Sequence, residues 1–220
     1  MSTISKENYL KTIYTECNDS KGVVTSSVLS EKLGVTKAAV SDMAKNLSKL
    51  NLINYKPYKS ISLSKKGEQI ALQIIRRHRL WELFLISALN LSWSEVHEEA
   101  ERLEHCTSDL LVNKIDDFLK NPNFDPHGEP IPNRNGVMPP LPKFIKLSDA
   151  EIGKKYKITR VNDQNKELMD YLTKIKIKLN AEIQITDKLN YDNTLLIKNQ
   201  KTSISLSEKI TNKIDVTLVK

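Results

Sequence analysis

Hydrophobic positions recur at intervals of three and four through the first fifty residues, and they divide that stretch into three helices. Over residues 5–17, Tyr9, Leu10, Ile13 and Tyr14 share one face, with Ile4 just ahead of it. A polar turn at 19–22 follows. Thr25 is placed to cap a short helix through Leu33 that turns Val28, Leu29 and Leu33 inward, and Gly34 breaks it. Thr36 caps a longer helix to about Leu50, with Val40, Met43, Leu47 and Leu50 in an inward stripe. The period then falls to two. Residues 53–56 and 60–63 read as strands joined through Pro57-Tyr58-Lys59. Helix, turn, helix, strand, strand is the order of a winged helix-turn-helix.

A long helical pattern runs from Ser64 to about Leu89 and carries Ile70, Ile74, Ile75, Trp81, Leu85 and Ala88. Ser92, with Glu95 three residues on, reads as a capping box for the next helix. A helix over about 107–120 presents Leu110, Leu111, Ile115, Phe118 and Leu119, a face wide enough to fit contact with a second copy. Residues 121–142 hold most of the prolines together with Gly128 and Gly136, which marks an irregular linker. Beyond it, 157–161, 182–186, 194–197 and 203–206 read as short strands, with one helix near 165–174, and predict a small β-barrel.

Charge sharpens this division. Residues 1–77 carry 13 basic and 6 acidic side chains, residues 78–120 carry 4 and 9, and residues 121–220 carry 17 and 12. A basic head suits a polyanion and an acidic middle does not. There is no run of about 18 apolar residues, so a membrane span is not expected. The start lacks the pattern of a signal peptide. Cys17 and Cys106 are too few and too far apart for a disulfide framework or a thiolate zinc site, so a reduced, cytoplasmic setting is expected. No phosphate-cradling glycine loop, nucleophile elbow or H-E-x-x-H pair occurs, which argues against an enzyme.

The helix that begins after Thr36 turns Thr36, Lys37, Ala38, Ala39, Ser41, Asp42, Lys45 and Lys49 outward. Small residues at its front let the backbone approach a major groove, while hydroxyls and lysines reach base edges and phosphates. Lys56, Tyr58 and Lys59 at the wing tip are placed for backbone contacts, which position a protein without specifying sequence. A lysine-rich helix face alone says little. Within the complete helix-turn-helix-wing order, double-stranded DNA is the expected partner.

The segment from His97 to His105 carries a different chemistry. At about 100° per residue, with His97 at zero, Glu101 lies near 40°, Glu104 near 340° and His105 near 80°. Four ligand-type side chains therefore share one stripe, with Val96, Ala100 and Leu103 beside it, while Glu98, Glu99 and Arg102 point away. The preceding helix adds His78 and Glu82, one turn apart. A single His–Glu pair is usually a solvated one. Two in succession beside an apolar face favour a metal, and imidazole plus carboxylate without thiolate suits Mn²⁺ or Fe²⁺, with Zn²⁺ and Co²⁺ able to substitute. His127, in the linker, reads as structural.

These features resemble the diphtheria-toxin-repressor and manganese-transport-regulator family of iron- or manganese-activated repressors. The resemblance is carried by ENYLKTIY at 7–14, the winged motif, RRHRLWE at 76–82, VHEEAERLEH at 96–105 and PHGEPIP at 126–132, and it covers most of the chain. It implies one metal site from Glu101, Glu104 and His105, completed by position 8 of the first helix. It implies a second from His78, Glu82 and His97, with help from the C-terminal domain, where Asp163, Glu167 and Asp170 are candidates. Manganese-responsive members place glutamate where Glu101 stands, so Mn²⁺ is the expected ion and Fe²⁺ the alternative. Two positions depart from the pattern. Asn8 replaces an acidic or methionine ligand and can offer only its amide oxygen. Lys11 stands where one manganese branch has an acid, cannot ligate while protonated and would repel a cation, so a close pair of manganese ions is not expected.

The whole reading is of a mainly α chain with small β parts. It comprises a winged helix-turn-helix domain at 1–65, a helical metal-binding and dimerisation domain with its proline-rich linker at 66–142, and a FeoA-like small β-barrel at 143–220. Such a homodimer is expected to bind an operator for metal-uptake genes when metal is present. Without metal, its clustered carboxylates are expected to repel one another and free the head to rotate. A winged-helix regulator answering to a non-metal small ligand is the alternative.

Overall fold

The computed structural model describes residues 3–19, 23–56, 60–162, 165–199 and 202–219. The head consists of α1 (Thr3–Asp19), α2 (Ser26–Leu33), α3 (Lys37–Lys49) and the hairpin of β1 (Ile53–Lys56) and β2 (Ser60–Leu63). Local chemistry punctuates it. Thr25 Oγ1 accepts the Val28 N–H, Gly34 ends α2 in the left-handed region, and Thr36 Oγ1 accepts the Ala39 N–H. Tyr9, Leu10, Ile13, Leu29, Val40, Met43, Leu47 and Ile61 bury together in one core. Leu50, expected inside, is 42% exposed. It is the C-cap of α3, where the chain turns into the left-handed Asn51 and the helical face no longer continues.

Helix α4 (Lys65–Leu89) leaves the hairpin and runs through the middle of the chain. A Cβ on Gly67 would meet the Leu52 carbonyl oxygen at 1.9 Å, so only glycine lets the first turn of α4 press on the corner between α3 and β1. Helix α1 packs along α4, as do α5 (Val96–Glu104) and α6 (Asp109–Phe118). Helix α5 starts later than the capping-box pattern implies. The Glu95 carboxylate accepts both the N–H and the Oγ–H of Ser92, closing a turn ahead of the helix instead of inside it. Helix α6 buries Val112 and Ile115 against Leu80 and leaves Leu110, Leu111 and Phe118 exposed.

The C-terminal part comprises β3 (Ile145–Lys146), a 3₁₀ turn, β4 (Lys155–Val161), α7 (Lys166–Lys174), β5 (Glu182–Lys188), β6 (Leu195–Asn199), β7 (Thr202–Leu206), α8 (Glu208–Thr211) and β8 (Ile214–Leu218). Its antiparallel sheet has the order β3-β8-β4-β5-β6-β7. Among the described residues β3 and β7 are the two edges, so the sheet is open and the expected closed barrel is corrected. Alternation along a strand reports which face is buried but carries nothing about whether the edges meet. Strand β8 escaped the pattern because Ile214, Asp215 and Val216 are all buried. Asp215 is held there by Lys146 at 2.7 Å and Arg160 at 2.6 Å.

The linker is tied down at both sides. Asp125 Oδ1 accepts the N–H groups of His127 and Glu129, and the His127 carbonyl accepts the Val161 N–H of β4 at 2.9 Å. Gly128 has φ +85, and a Cβ on it would lie 2.1 Å from the Thr159 carbonyl oxygen. Among the described residues no helix is long and apolar enough to cross a membrane.

Candidate metal centre

Helices α1, α4 and α5 bring the six α4 and α5 candidates into one connected cluster. His78 Nδ1 lies 2.6 Å from Glu104 Oε2, and its Nε2 lies 3.0 Å from Glu82 Oε1. His97 Nδ1 is 3.3 Å from the same Glu82 oxygen, and His105 Nε2 is 3.4 Å from Glu104 Oε1. The ligand atoms of Glu101, Glu104 and His105 all lie within 4.8 Å of one another, as do those of His78, His97 and Glu101. His78 therefore bridges the two sites that the sequence separates.

The electrostatics follow from this packing. Burial by itself pushes the His78 imidazole down, but the Glu82 and Glu104 carboxylates outweigh it and raise His78 to about 9. An imidazole with a carboxylate against each nitrogen donates from both, which is its protonated form. Burial opposes charge on Glu82 and Glu101 as well. His78 and the other imidazoles nonetheless hold Glu82 well below the usual carboxylate range, and Lys11 with His78 lowers Glu101. The expectation of mutually repelling carboxylates is corrected here, because cationic side chains stand between them.

Helix α1 supplies more than the one residue expected of it. Asn8 Oδ1 is buried and has no hydrogen-bond partner. Glu7 Oε2 meets His105 Nδ1 at 2.6 Å, a contact that sequence reasoning missed. Lys11 Nζ donates to Glu104 Oε1 at 2.8 Å and also to Glu101 Oε1. Glu7 and Lys11 are one helical turn apart, a spacing that places them on one face of α1 without saying which element that face meets.

A second group lies where the linker crosses α4. Glu82 Oε2, Asp125 Oδ2 and both ring nitrogens of His127 are buried without a hydrogen-bond partner. His127 Nε2 is 3.9 Å from Glu82 Oε1, and its ring stacks on Trp93, whose Nε1 donates to the Pro126 carbonyl. Burial and the nearby Glu82 charge push Asp125 up to about 8 against the pull of Arg79, and burial lowers His127. An unsatisfied buried polar atom costs about 1–3 kcal/mol, so oxygen and imidazole atoms left here without partners fit a cation. His127 thus has a setting that its place in an irregular linker did not reveal; the signal was its nearness in sequence to Asp125 across one proline. On α7, Glu167 and Asp170 are exposed, and Asp163 lies outside the described residues.

The head keeps its polar face in solvent. Thr36, Lys37, Ala38, Ala39, Asp42, Lys45 and Lys49 are exposed and Ser41 is half-buried, with Lys45 paired to Asp42 at 3.3 Å. Lys56 is exposed at the end of β1, while Tyr58 and Lys59 lie outside the described residues.

Comparison with known proteins agrees along the chain. Residues 1–61 match the iron dependent repressor N-terminal DNA binding domain, 64–133 its metal binding and dimerisation domain, and 145–218 the FeoA domain. A helix-turn-helix-type transcriptional regulator of Methanocaldococcus jannaschii is 34% identical over 116 residues, covering 53% of this chain and 93% of that protein. The iron-dependent repressor IdeR of Mycobacterium tuberculosis is 32% identical over 126 residues, 57% of this chain and about half (54%) of that repressor. A solved manganese-dependent transcriptional repressor in complex with manganese superposes with a TM-score of 0.88 at 30% identity, covering 97% of this chain and 99% of that one.

Proposed function

The chain belongs to the diphtheria-toxin-repressor and manganese-transport-regulator family of metal-dependent repressors, and from that premise we propose that it is a homodimeric, Mn²⁺-activated repressor of metal-uptake genes, acting in the cytoplasm. Fe²⁺ is the alternative activator, and Zn²⁺ or Co²⁺ can substitute. The observation that carries this is the set of buried ligand-type atoms without a hydrogen-bond partner: Asn8 Oδ1, Glu82 Oε2, Asp125 Oδ2 and the His127 ring nitrogens. Oxygen and imidazole donors without thiolate are the set that Mn²⁺ and Fe²⁺ take.

Two groups of residues would hold ions. Glu101, Glu104 and His105, with Asn8 from α1, form the first. Glu82 with Asp125 and His127 forms the second, with His97 adjoining and His78 bonded into both. Bound there, a divalent cation supplies positive charge that the carboxylates share across elements. The protein's own residues do the rest. Glu7 fixes the orientation of the His105 ring. Asn8 belongs to the helix whose Tyr9, Leu10 and Ile13 build the head core, so a restraint on Asn8 is a restraint on the head. Asp125 and His127 sit on a linker hydrogen-bonded to β4, so the second group joins α4 to the C-terminal sheet.

A fixed head in each protomer sets the separation of the two α3 helices, for which about 34 Å, one DNA turn, is the productive value. Thr36, Lys37, Ala38, Ala39, Ser41, Asp42 and Lys45 then face the operator groove, with Lys56, Tyr58 and Lys59 on the wing. The exposed Leu110, Leu111 and Phe118 suit the homodimer contact. The division at 1–65, 66–142 and 143–220 is part of this proposal. Mobility-shift titration with operator DNA tests the proposal: Mn²⁺ or Fe²⁺ should promote the complex and a chelator dissolve it. Binding indifferent to both overturns it.

A further inference from the structure

Within the first group the fold provides a cation of its own. The Lys11 ammonium donates to Glu104 Oε1 at 2.8 Å and to Glu101 Oε1 in closer contact still. Those are two of the carboxylates that would hold the divalent ion, and the same Glu104 oxygen lies 3.4 Å from His105 Nε2. Lone pairs that accept ammonium hydrogens are not free to ligate. The two occupants therefore compete for Glu101 Oε1 and Glu104 Oε1, and their like charges repel across the same small space. The Lys11 side chain is 17% exposed, and its four-carbon stem lets the head reach water by a change of rotamer with α1 held still. Asn8, one turn earlier on the same helix, keeps its buried amide oxygen unpartnered. Helix α1 thus presents two alternatives side by side: an internal cation and a ligand for an external one. The other ionisable groups on these carboxylates are His78 and His97 beside Glu101, His78 and His105 beside Glu104, and Glu7 behind His105; exchanging the ammonium for a divalent ion raises the pocket's charge by one.

We propose that Lys11 is an internal competitor for the metal: its ammonium holds α1 to α5 through Glu101 and Glu104 and must withdraw for the ion to bind, so that this residue sets the metal concentration at which the protein responds. The proposal rests on the family reading above and deepens it. Exchange of this kind also means that the metal-free head is already tethered, by one monovalent contact, to the place where the divalent ion later fastens it.

The test measures binding, not repression. Lys11→Gln removes the competing charge and should raise Mn²⁺ affinity in the full-length dimer by about tenfold or more, read by isothermal titration, whereas Lys11→Arg, which keeps it, should bind no more tightly than the unaltered protein. A second measurement needs no loss-of-charge variant. In protein labelled with ¹³C at the lysine ε-carbon, the resonance absent from Lys11→Arg should move toward solvent-exposed values as diamagnetic Zn²⁺ saturates the site. Unchanged or weaker Mn²⁺ binding by Lys11→Gln overturns the proposal, as does a Lys11 resonance that ignores bound Zn²⁺. If Lys11→Gln does not fold, the resonance decides alone. Metal bound with Lys11 unmoved sinks this proposal only; no binding of Mn²⁺ or Zn²⁺ sinks the family reading with it.

Discussion

At the end of α5, the carboxylates of Glu101 and Glu104 are met by Lys11, His78 and His105, and His105 is met in turn by Glu7. Beneath the linker, Glu82 Oε2, Asp125 Oδ2 and both nitrogens of His127 have no hydrogen-bond partner, and the Arg79 guanidinium stands 3.7 Å from Asp125 Oδ2. Apart from Asn8 Oδ1, the first group is an ion-pair network that satisfies itself, and a metal entering it must displace Lys11. The second is a set of ligand-type atoms without hydrogen-bond partners, where an incoming ion competes with the proton on Asp125, the N–H of His127 and the charge of Arg79. On the proposed reading, two clusters joined through His78 therefore suit different tasks: the first for responding to a changing metal level, the second for holding the linker to α4.

The comparison is broken most directly by a Glu104→Gln, His105→Ala double variant. It should lose metal-promoted operator binding by about a hundredfold or more, since both a charge and an imidazole leave one site, yet keep its fold and the ion of the second group. Mobility shift, circular dichroism and metal analysis report these separately, and a normal metal response means that the first group has been assigned wrongly.

A smaller effect comes from pH. His78 at about 9 and Asp125 at about 8 carry protons near neutrality, and both must lose them to act as ligands. Apparent Mn²⁺ affinity should therefore climb between pH 7 and 9, by at most about tenfold per unit for each proton released. Both folded-state values are raised, so the stability these groups lend the metal-free protein is present at low pH and is lost as pH rises through 8 and 9. Stabilisation by Mn²⁺ should grow over the same window. Titration calorimetry in buffers of different ionisation enthalpy counts the protons, and finding none released contradicts the assignment of both residues.

The smallest effect separates the clusters by stability. His127→Phe keeps the stack on Trp93 while removing two unsatisfied nitrogens. The chelated protein should melt at the same temperature or gain about 1–3 kcal/mol, and it should lose part of its stabilisation by metal. A large loss of stability in chelator shows that these nitrogens do have partners.

How much of this the sequence could disclose depended on how local each signal is. Thr25, Gly34 and Thr36 act within one turn, so the helices of the head were readable from neighbours alone. His78 with Glu82, and His97 with Glu101, Glu104 and His105, lie on single helices whose period places them on one stripe. Glu7 and Lys11 meet α5 across more than ninety positions, and only the docking of α1 reveals what they face. Asp125 and His127 sit in a proline-rich stretch that has no period to read. The open sheet was hidden for a related reason, because closure depends on β3 and β7, residues with no local sign of what lies beside them. The buried Asp215 hid β8 by breaking its alternation.

The close approach at Gly128 carries a mechanical consequence. With no room for a methyl group between that residue and Thr159, and with the His127 carbonyl gripped by Val161, the loop is keyed to the sheet in a single register. Sliding β4 by one rung would carry the imidazole away from Glu82. The C-terminal sheet thus serves as a jig for an imidazole it does not itself contain, and on the proposed reading whatever loosens the jig blunts the grip on an ion from a distance.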